Sequence, residues 1–170
     1  MIVVVNNKNL FVPVTRRGDL VKVSFDCNLA EVIHNEDGTT TEMCTWKEHL
    51  FANVPSINQL KRFVLDAINK DVDDAILSGF TWRDYSVWLS SENQFNYKAA
   101  YDLAIQTGGA NLPVVFKFGT AKNPVYHKFD NVEDLSDFYL KAAKHINEQL
   151  AIGWAKKDSI DWSVYEKALK

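Results

Sequence analysis

Asn53-Val54-Pro55-Ser56-Ile57-Asn58-Gln59-Leu60 is the stretch in which the chain changes period. Upstream, apolar residues come in short β-branched runs. Downstream, they recur at the spacing of a helix face. Asn53-Val54-Pro55 reads as a boundary. Ser56 and Gln59 fit a capping box, in which hydroxyl and amide satisfy each other's backbone donors. Leu60, Phe63, Val64, Ala67, Ile68, Val72, Ala75 and Ile76 then mark one helix face, and Gly79 sits where a C-terminal cap belongs. The chain therefore divides into a β-rich module over residues 1–54 and an α+β domain over residues 55–170.

Upstream of the boundary, Ile2-Val3-Val4-Val5 is β-branched and Leu10-Phe11-Val12 ends at Pro13. Leu20-Val21-Lys22-Val23-Ser24-Phe25 is rich in strand formers. Ala30-Glu31-Val32-Ile33-His34 and Thr39-Thr40-Thr41-Glu42-Met43-Cys44 flank Asn35-Glu36-Asp37-Gly38. Asp-Gly tolerates the positive φ of a tight hairpin, so these runs predict a small antiparallel meander of about five strands.

Downstream, Phe80-Thr81-Trp82 and Ser86-Val87-Trp88-Leu89 read as two short strands around Arg83-Asp84-Tyr85. A second helix is expected from Ser91-Glu92-Asn93-Gln94, again with capping-box spacing, carrying Phe95, Ala99, Leu103 and Ala104 and ending at Gly108-Gly109. Val114–Phe118 and Val125–Phe129 predict a second strand pair. Asn131 can cap a third helix with Val132, Leu135, Phe138, Tyr139, Ala142, Ile146 and Leu150 inward and Gly153 at its end. Asp161-Trp162-Ser163-Val164-Tyr165 begins a short terminal helix. Helices mixed with antiparallel pairs define an α+β fold: a small N-terminal meander, then a three- to four-helix body with two β-hairpins.

Composition excludes several classes. Of 170 residues, 46% are apolar and 24% charged, with 7 Gly and 4 Pro, which suits a globular chain rather than a disordered or collagenous one. A net charge of −3 without a basic block argues against nucleic acid as a partner. No run reaches the ~18 apolar residues of a membrane helix, so no membrane partner is expected. The N-terminal apolar stretch lacks a preceding basic region and a cleavage site, so it is not read as a signal peptide. Cys27 and Cys44 are the only two cysteines, and nothing else points to an oxidising compartment; both read as free thiols.

Catalytic and cofactor signatures are wanting. Gly108-Gly109 is not followed by a phosphate-cradling or dinucleotide motif. His34, His49, His127 and His145 are scattered, without the spacing of metal ligands. Asp71, Asp73 and Asp74 imitate the opening of a calcium loop, but Ile76 and Leu77 stand where that loop needs glycine and oxygen ligands. Glu133 and Asp134 suit the first turn of a helix. No catalytic, metal or cofactor-binding residue is assigned, and the expectation is a non-enzymatic protein without a cofactor. A small enzyme with an unrecognised site is the competing class.

The most unusual stretch is Trp82-Arg-Asp-Tyr-Ser-Val-Trp88-Leu-Ser-Ser-Glu92-Asn-Gln-Phe-Asn-Tyr97. Rings supply contact area and amides supply orientation, a combination typical of recognition surfaces. Trp82, Tyr85, Trp88, Glu92, Asn93, Asn96 and Tyr97 are the candidate protein-interaction residues. The competing reading places Trp82, Trp88 and Phe95 in the core, with Ser91 and Gln94 as caps.

The same stretch, Trp82 with Val87-Trp88-Leu89-Ser90-Ser91-Glu92-Asn93-Gln94-Phe95-Asn96-Tyr97, resembles a phage- and prophage-encoded family of unassigned function found beside tail-fibre genes, including those of Bacteroidales phages. The likeness runs from about Leu60 to Leu169 and takes in Lys117-Phe-Gly-Thr120, Gly153-Trp154 and Lys157-Asp158. It does not cover the first 54 residues. It implies a virion structural protein, a tail- or fibre-associated adaptor acting by protein–protein contact. The expected partners are other phage structural proteins, tail or fibre components, with the chain a homo-oligomer or present in multiple copies. Its expected location is the virion, or the host cytoplasm during assembly. The alternatives are a tail-fibre assembly chaperone not retained in the virion and a host-directed regulatory binding protein. Exposed strands within residues 1–54 are expected to extend a partner's sheet, so that deleting residues 1–25 abolishes assembly.

Overall fold

A computed structural model describes residues 1–170. Four strands form one antiparallel sheet: β1 (Ile2–Asn7), β2 (Val14–Arg17), β3 (Leu20–His34) and β4 (Thr40–Phe51). Their order is β1-β4-β3-β2, so β2, β3 and β4 make a meander and β1 adds to the far side of β4. The expected strand at Leu10-Phe11-Val12 does not form. A 3₁₀ turn at Lys8–Leu10 starts there instead, with Asn7 Oδ1 accepting from Asn9 N at 2.9 Å, and pairing begins one residue after Pro13. The runs at 20–25 and 30–34 join into one long strand, β3, through register shifts between Phe25 and Asn28 and between Leu29 and Glu31. Four strands therefore replace the anticipated five. The turn after β3 is the expected one, with Gly38 at φ 82°.

The remaining elements are α1 (Ile57–Ser78), β5 (Phe80–Trp82), β6 (Tyr85–Val87), α2 (Ser91–Thr107), β7 (Val114–Gly119), β8 (Pro124–Phe129), α3 (Val132–Asp158) and α4 (Trp162–Leu169). The capping box at the boundary forms: Ser56 N donates to Gln59 Oε1 at 2.8 Å and Gln59 N donates to Ser56 Oγ at 3.3 Å. Asn131 caps α3 through its Oδ1, which accepts from Asp134 N at 2.8 Å, and Asp161 caps α4. The second helix is capped by Ser90, one residue before the expected Ser91. The α+β reading thus holds, with two separate hairpins, β5–β6 and β7–β8, beside the four-stranded sheet.

By internal contacts the chain forms two compact units, Met1–Ile68 with Lys156–Lys170, and Asn69–Ala155. The change from strand to helix falls at residues 55–57, yet the first unit runs on into α1. The physical reason is burial: Val21, Val23 and Phe25 of β3 need a cover. Leu60, Val64 and Ile68 of α1 and Tyr165 of α4 supply it. The Tyr165 hydroxyl donates to the Ser24 carbonyl at 3.0 Å, and burial pushes its pKa up to about 12.

The second unit packs Phe80, Trp82, Val87, Leu89, Tyr97, Phe118, Phe129, Leu135 and Phe138 into one cluster. Gly153 lies inside α3 rather than at its end. A Cβ there would stand 2.5 Å from Val72 Cγ2, so glycine serves the close approach of α1 and α3 and not a cap. Of the apolar residues expected along the second helix, only Ala104 is buried. Tyr97 and Ala104 are buried, while Phe95, Ala99 and Leu103 face outward. At its first turn Gln94 Nε2 donates to the Leu89 carbonyl at 2.7 Å and Asn93 Nδ2 to the Trp88 carbonyl at 2.8 Å.

Candidate functional site

The aromatic stretch singled out in the sequence lies in the second unit and divides by depth. Arg83 and Asp84, at φ 47° and 66°, make the two-residue turn between β5 and β6, with positive φ at both central residues as in a type I′ hairpin turn. That turn drives Trp82 inward. Its ring centroid lies 5.4 Å from Phe129 and 5.4 Å from Phe138, and its Nε1 donates to Asp137 Oδ2 at 3.0 Å. The Asp137 carboxyl is held below its ordinary value by the Lys141 ammonium and by the Trp82 N–H. The Arg83 guanidinium lies over the Trp82 ring, 4.3 Å from its centroid, and pairs with Asp134. Tyr97 is buried 4.6 Å from Phe116 between centroids, and burial pushes its hydroxyl up to about 12. Tyr85 is half-buried and stacked beside Phe118.

Trp82 and Tyr97 are therefore core side chains and offer no contact surface. Glu92 and Asn96 are exposed, Asn93 is half-buried and Trp88 is 52% exposed. The structure adds Phe95, 71% exposed, which the competing reading placed in the core. Neither reading of the stretch describes all of it: Trp82 is core, whereas Trp88 and Phe95 are surface.

The first unit presents a different kind of surface. In β1, Ile2, Val3 and Val5 are 67%, 63% and 62% exposed, and β1 pairs on one side only, through an unbroken register of six residues with β4. No charge, proline or bulge interrupts it. The opposite edge, β2, is four residues long and carries Arg16 and Arg17. Short, charged edges are how sheets avoid unwanted pairing, and β1 has neither feature. Beyond β1, the ends of β3 and β4 continue as a two-stranded ribbon, Val32–His34 against Thr40–Glu42, with Val32 and Ile33 exposed. An isolated two-stranded ribbon is marginally stable in water.

Two further features of the first unit escaped the sequence reading because they depend on long-range contacts. Asp26, at φ 56° in the bulge of β3, has a buried carboxylate that pairs with Lys156 at 2.9 Å and Lys47 at 3.8 Å, tying the end of α3 to the sheet. Beside it, Cys27 is exposed, Cys44 is buried and no disulfide joins them. Partial desolvation by its neighbours and the adjacent Cys44 thiol push the Cys27 thiol up to about 11, so at neutral pH it is protonated and a poor nucleophile. No group of three or more His, Cys, Asp or Glu side chains is placed to hold a metal ion, and no helix is long and apolar enough to cross a membrane.

Taken by class, this is an α+β protein with a helix-covered four-stranded sheet and a second, aromatic-centred unit of helices and hairpins. Residues 59–168 match the family described as Domain of unknown function (DUF4376), and the chain belongs to that family. The match begins inside α1 and leaves the four-stranded sheet outside it. No curated protein and no solved structure matches the chain.

Proposed function

We propose that this chain is a non-enzymatic bacteriophage virion protein, an adaptor at the tail or its fibres that works by protein–protein contact. The observation that carries the contact reading is the open edge of β1, a regular, uncharged, β-branched strand whose outer side has no partner strand. Such an edge adds a strand from a partner protein: main-chain hydrogen bonds supply affinity, and alternate side chains supply specificity. The exposed ribbon of β3 and β4 lies in the same sheet and widens the surface available to that strand's owner. The phage setting rests on the likeness of residues 82–97 to the family found beside tail-fibre genes.

The test compares purified particles with infected-cell lysate by quantitative mass spectrometry, for the wild-type chain and for Val3→Lys/Val5→Lys. A small fixed copy number in particles, lost in the double variant, is the expected result. Abundance in lysate with absence from particles overturns the virion assignment. Deleting residues 1–25 is unsuitable, because it removes Val21, Val23 and Phe25 from the core.

A further inference from the structure

The second unit holds a groove of about 550 Å³ between the end of the β5–β6 hairpin, the first turn of α2 and the β7–β8 turn. That volume lies within the range of small-molecule sites, about 300–1,000 Å³. Its apolar wall is Trp88, the one large exposed ring in the lining. Ser78, Ser86, Asn93, Lys117 and Thr120 supply the polar groups, and no carboxylate lines it.

The walls are fixed by contacts already made within the unit. The Trp88 carbonyl accepts from Asn93 Nδ2, and the Leu89 carbonyl accepts from Gln94 Nε2, so the backbone carrying Trp88 is clamped while its indole stays outside. On the facing side, Gly119 takes φ 78°, and a Cβ there would meet the Asn123 carbonyl oxygen at 2.3 Å. Thr120 Oγ1 accepts from Asn123 N at 3.1 Å, which leaves its hydroxyl hydrogen to donate. Lys117 is exposed on β7, opposite Tyr126, and enters no ion pair.

An indole face carries negative quadrupole charge and attracts the polarised C–H groups on the flat side of a pyranose ring. Hydroxyls around that ring need donors and acceptors at its rim, which serine, threonine and asparagine side chains provide. A lone ammonium in a lining without acids selects an anion. We infer that this groove binds an acidic saccharide, its pyranose ring stacked on Trp88 and its carboxylate paired with Lys117. This site lies within the second unit and does not depend on the strand-edge contact proposed for the first.

Saturation-transfer NMR on the full chain tests it with methyl β-glucuronide and methyl β-glucoside, which differ only in the carboxylate, and with uridine monophosphate as a stacking anion of another class. Transfer to the glucuronide ring protons and a shift of the Trp88 indole N–H are expected. Trp88→Ala abolishes transfer. Lys117→Gln weakens glucuronide binding by about fivefold and leaves the glucoside unchanged, as loss of one exposed charge pair predicts. Both substitutions are at exposed positions, and an unchanged amide spectrum elsewhere shows that the fold persists. Absence of transfer to the glucuronide, transfer that survives Trp88→Ala, equal loss of both sugars in Lys117→Gln, or preference for the nucleotide each overturns the assignment.

Discussion

The first unit is closed by Val21, Val23, Leu60, Val64 and Ile68 with Phe25 and Tyr165 among them, whereas the second is closed by Trp82, Phe118, Phe129, Phe138 and Tyr97. The aromatic unit splits the stretch that looks most like a recognition motif, burying Trp82 and Tyr97 and leaving Trp88 and Phe95 exposed. The aliphatic unit leaves Ile2, Val3, Val5, Val32 and Ile33 in solvent. Composition alone suggests otherwise, with aromatics for binding and valines for core. A strand exposes whatever its position in the sheet dictates, and β1 and the β3–β4 ribbon lie where no helix covers them. Chemical distinctiveness and accessibility are separate properties, and each unit both buries and exposes side chains of the same kind.

The comparison breaks most visibly at the tryptophans. Trp82→Ala should cost about 3–5 kcal/mol, because a large ring and its bond to Asp137 leave a closed core, while Trp88→Ala should stay within about 0.5 kcal/mol. Urea unfolding of the two variants reads the difference, and comparable losses would mean that Trp88 is also structural.

A second, smaller effect concerns how tightly α1 and α3 approach in the aromatic unit. Gly153→Ala gains about 1 kcal/mol of helix propensity, yet it drives a methyl group into Val72. The net loss expected is about 1–2 kcal/mol by thermal or urea unfolding, and it should be recovered at least in part when Val72→Ala is added. Stabilisation by Gly153→Ala alone would show that the helices can part at no cost.

The aliphatic unit should be far more tolerant at its edge. Val3→Lys and Val5→Lys should each change stability by less than about 0.5 kcal/mol, because both side chains are exposed. Their effect should appear in assembly, read by analytical ultracentrifugation with the partner present. A large stability loss would show that β1 is part of the core rather than an open edge.

The smallest expected effect is on pH dependence. His49 is packed 4.2 Å from the Phe63 ring, and burial lowers its pKa from the ordinary value. A histidine whose folded pKa lies below its unfolded value binds fewer protons when folded. Its contribution is therefore fully present above about pH 6.5 and declines as pH falls below that. The urea midpoint should drop from pH 7.5 to 5.5 in the wild-type chain and drop less in His49→Gln. An equal drop in both would assign the effect to other groups.

Local signals sufficed wherever one residue acts on its own backbone neighbours. The Ser56–Gln59 box, the Asn131 and Asp161 caps, the turn at Gly38 and the left-handed Gly108 were all legible, because each is a bond or a dihedral angle set within a few residues. The inward faces of α1 and α3 were legible as well, since each carries one apolar stripe. The inward face of α2 was not. That helix has apolar residues on both sides, and the rings of Phe116, Phe118 and Phe138 against which Tyr97 packs come from distant segments.

Gly153 shows the same limit, for a glycine ends a helix or admits a neighbour with identical local chemistry, and the identity of that neighbour, Val72, is set 81 positions away. Asp26 and its lysines, the Trp88 groove and the open edge of β1 likewise depend on which distant segments come together. The sequence by itself determined the class of fold and the helices with most of their caps, because helical hydrogen bonding and periodicity are local. Strand limits waited on pairing between distant segments. Where an element has apolar residues on more than one side, or an open edge, tertiary structure decided which of them reach solvent, because exposure there is a property of what packs against a residue and not of the residue.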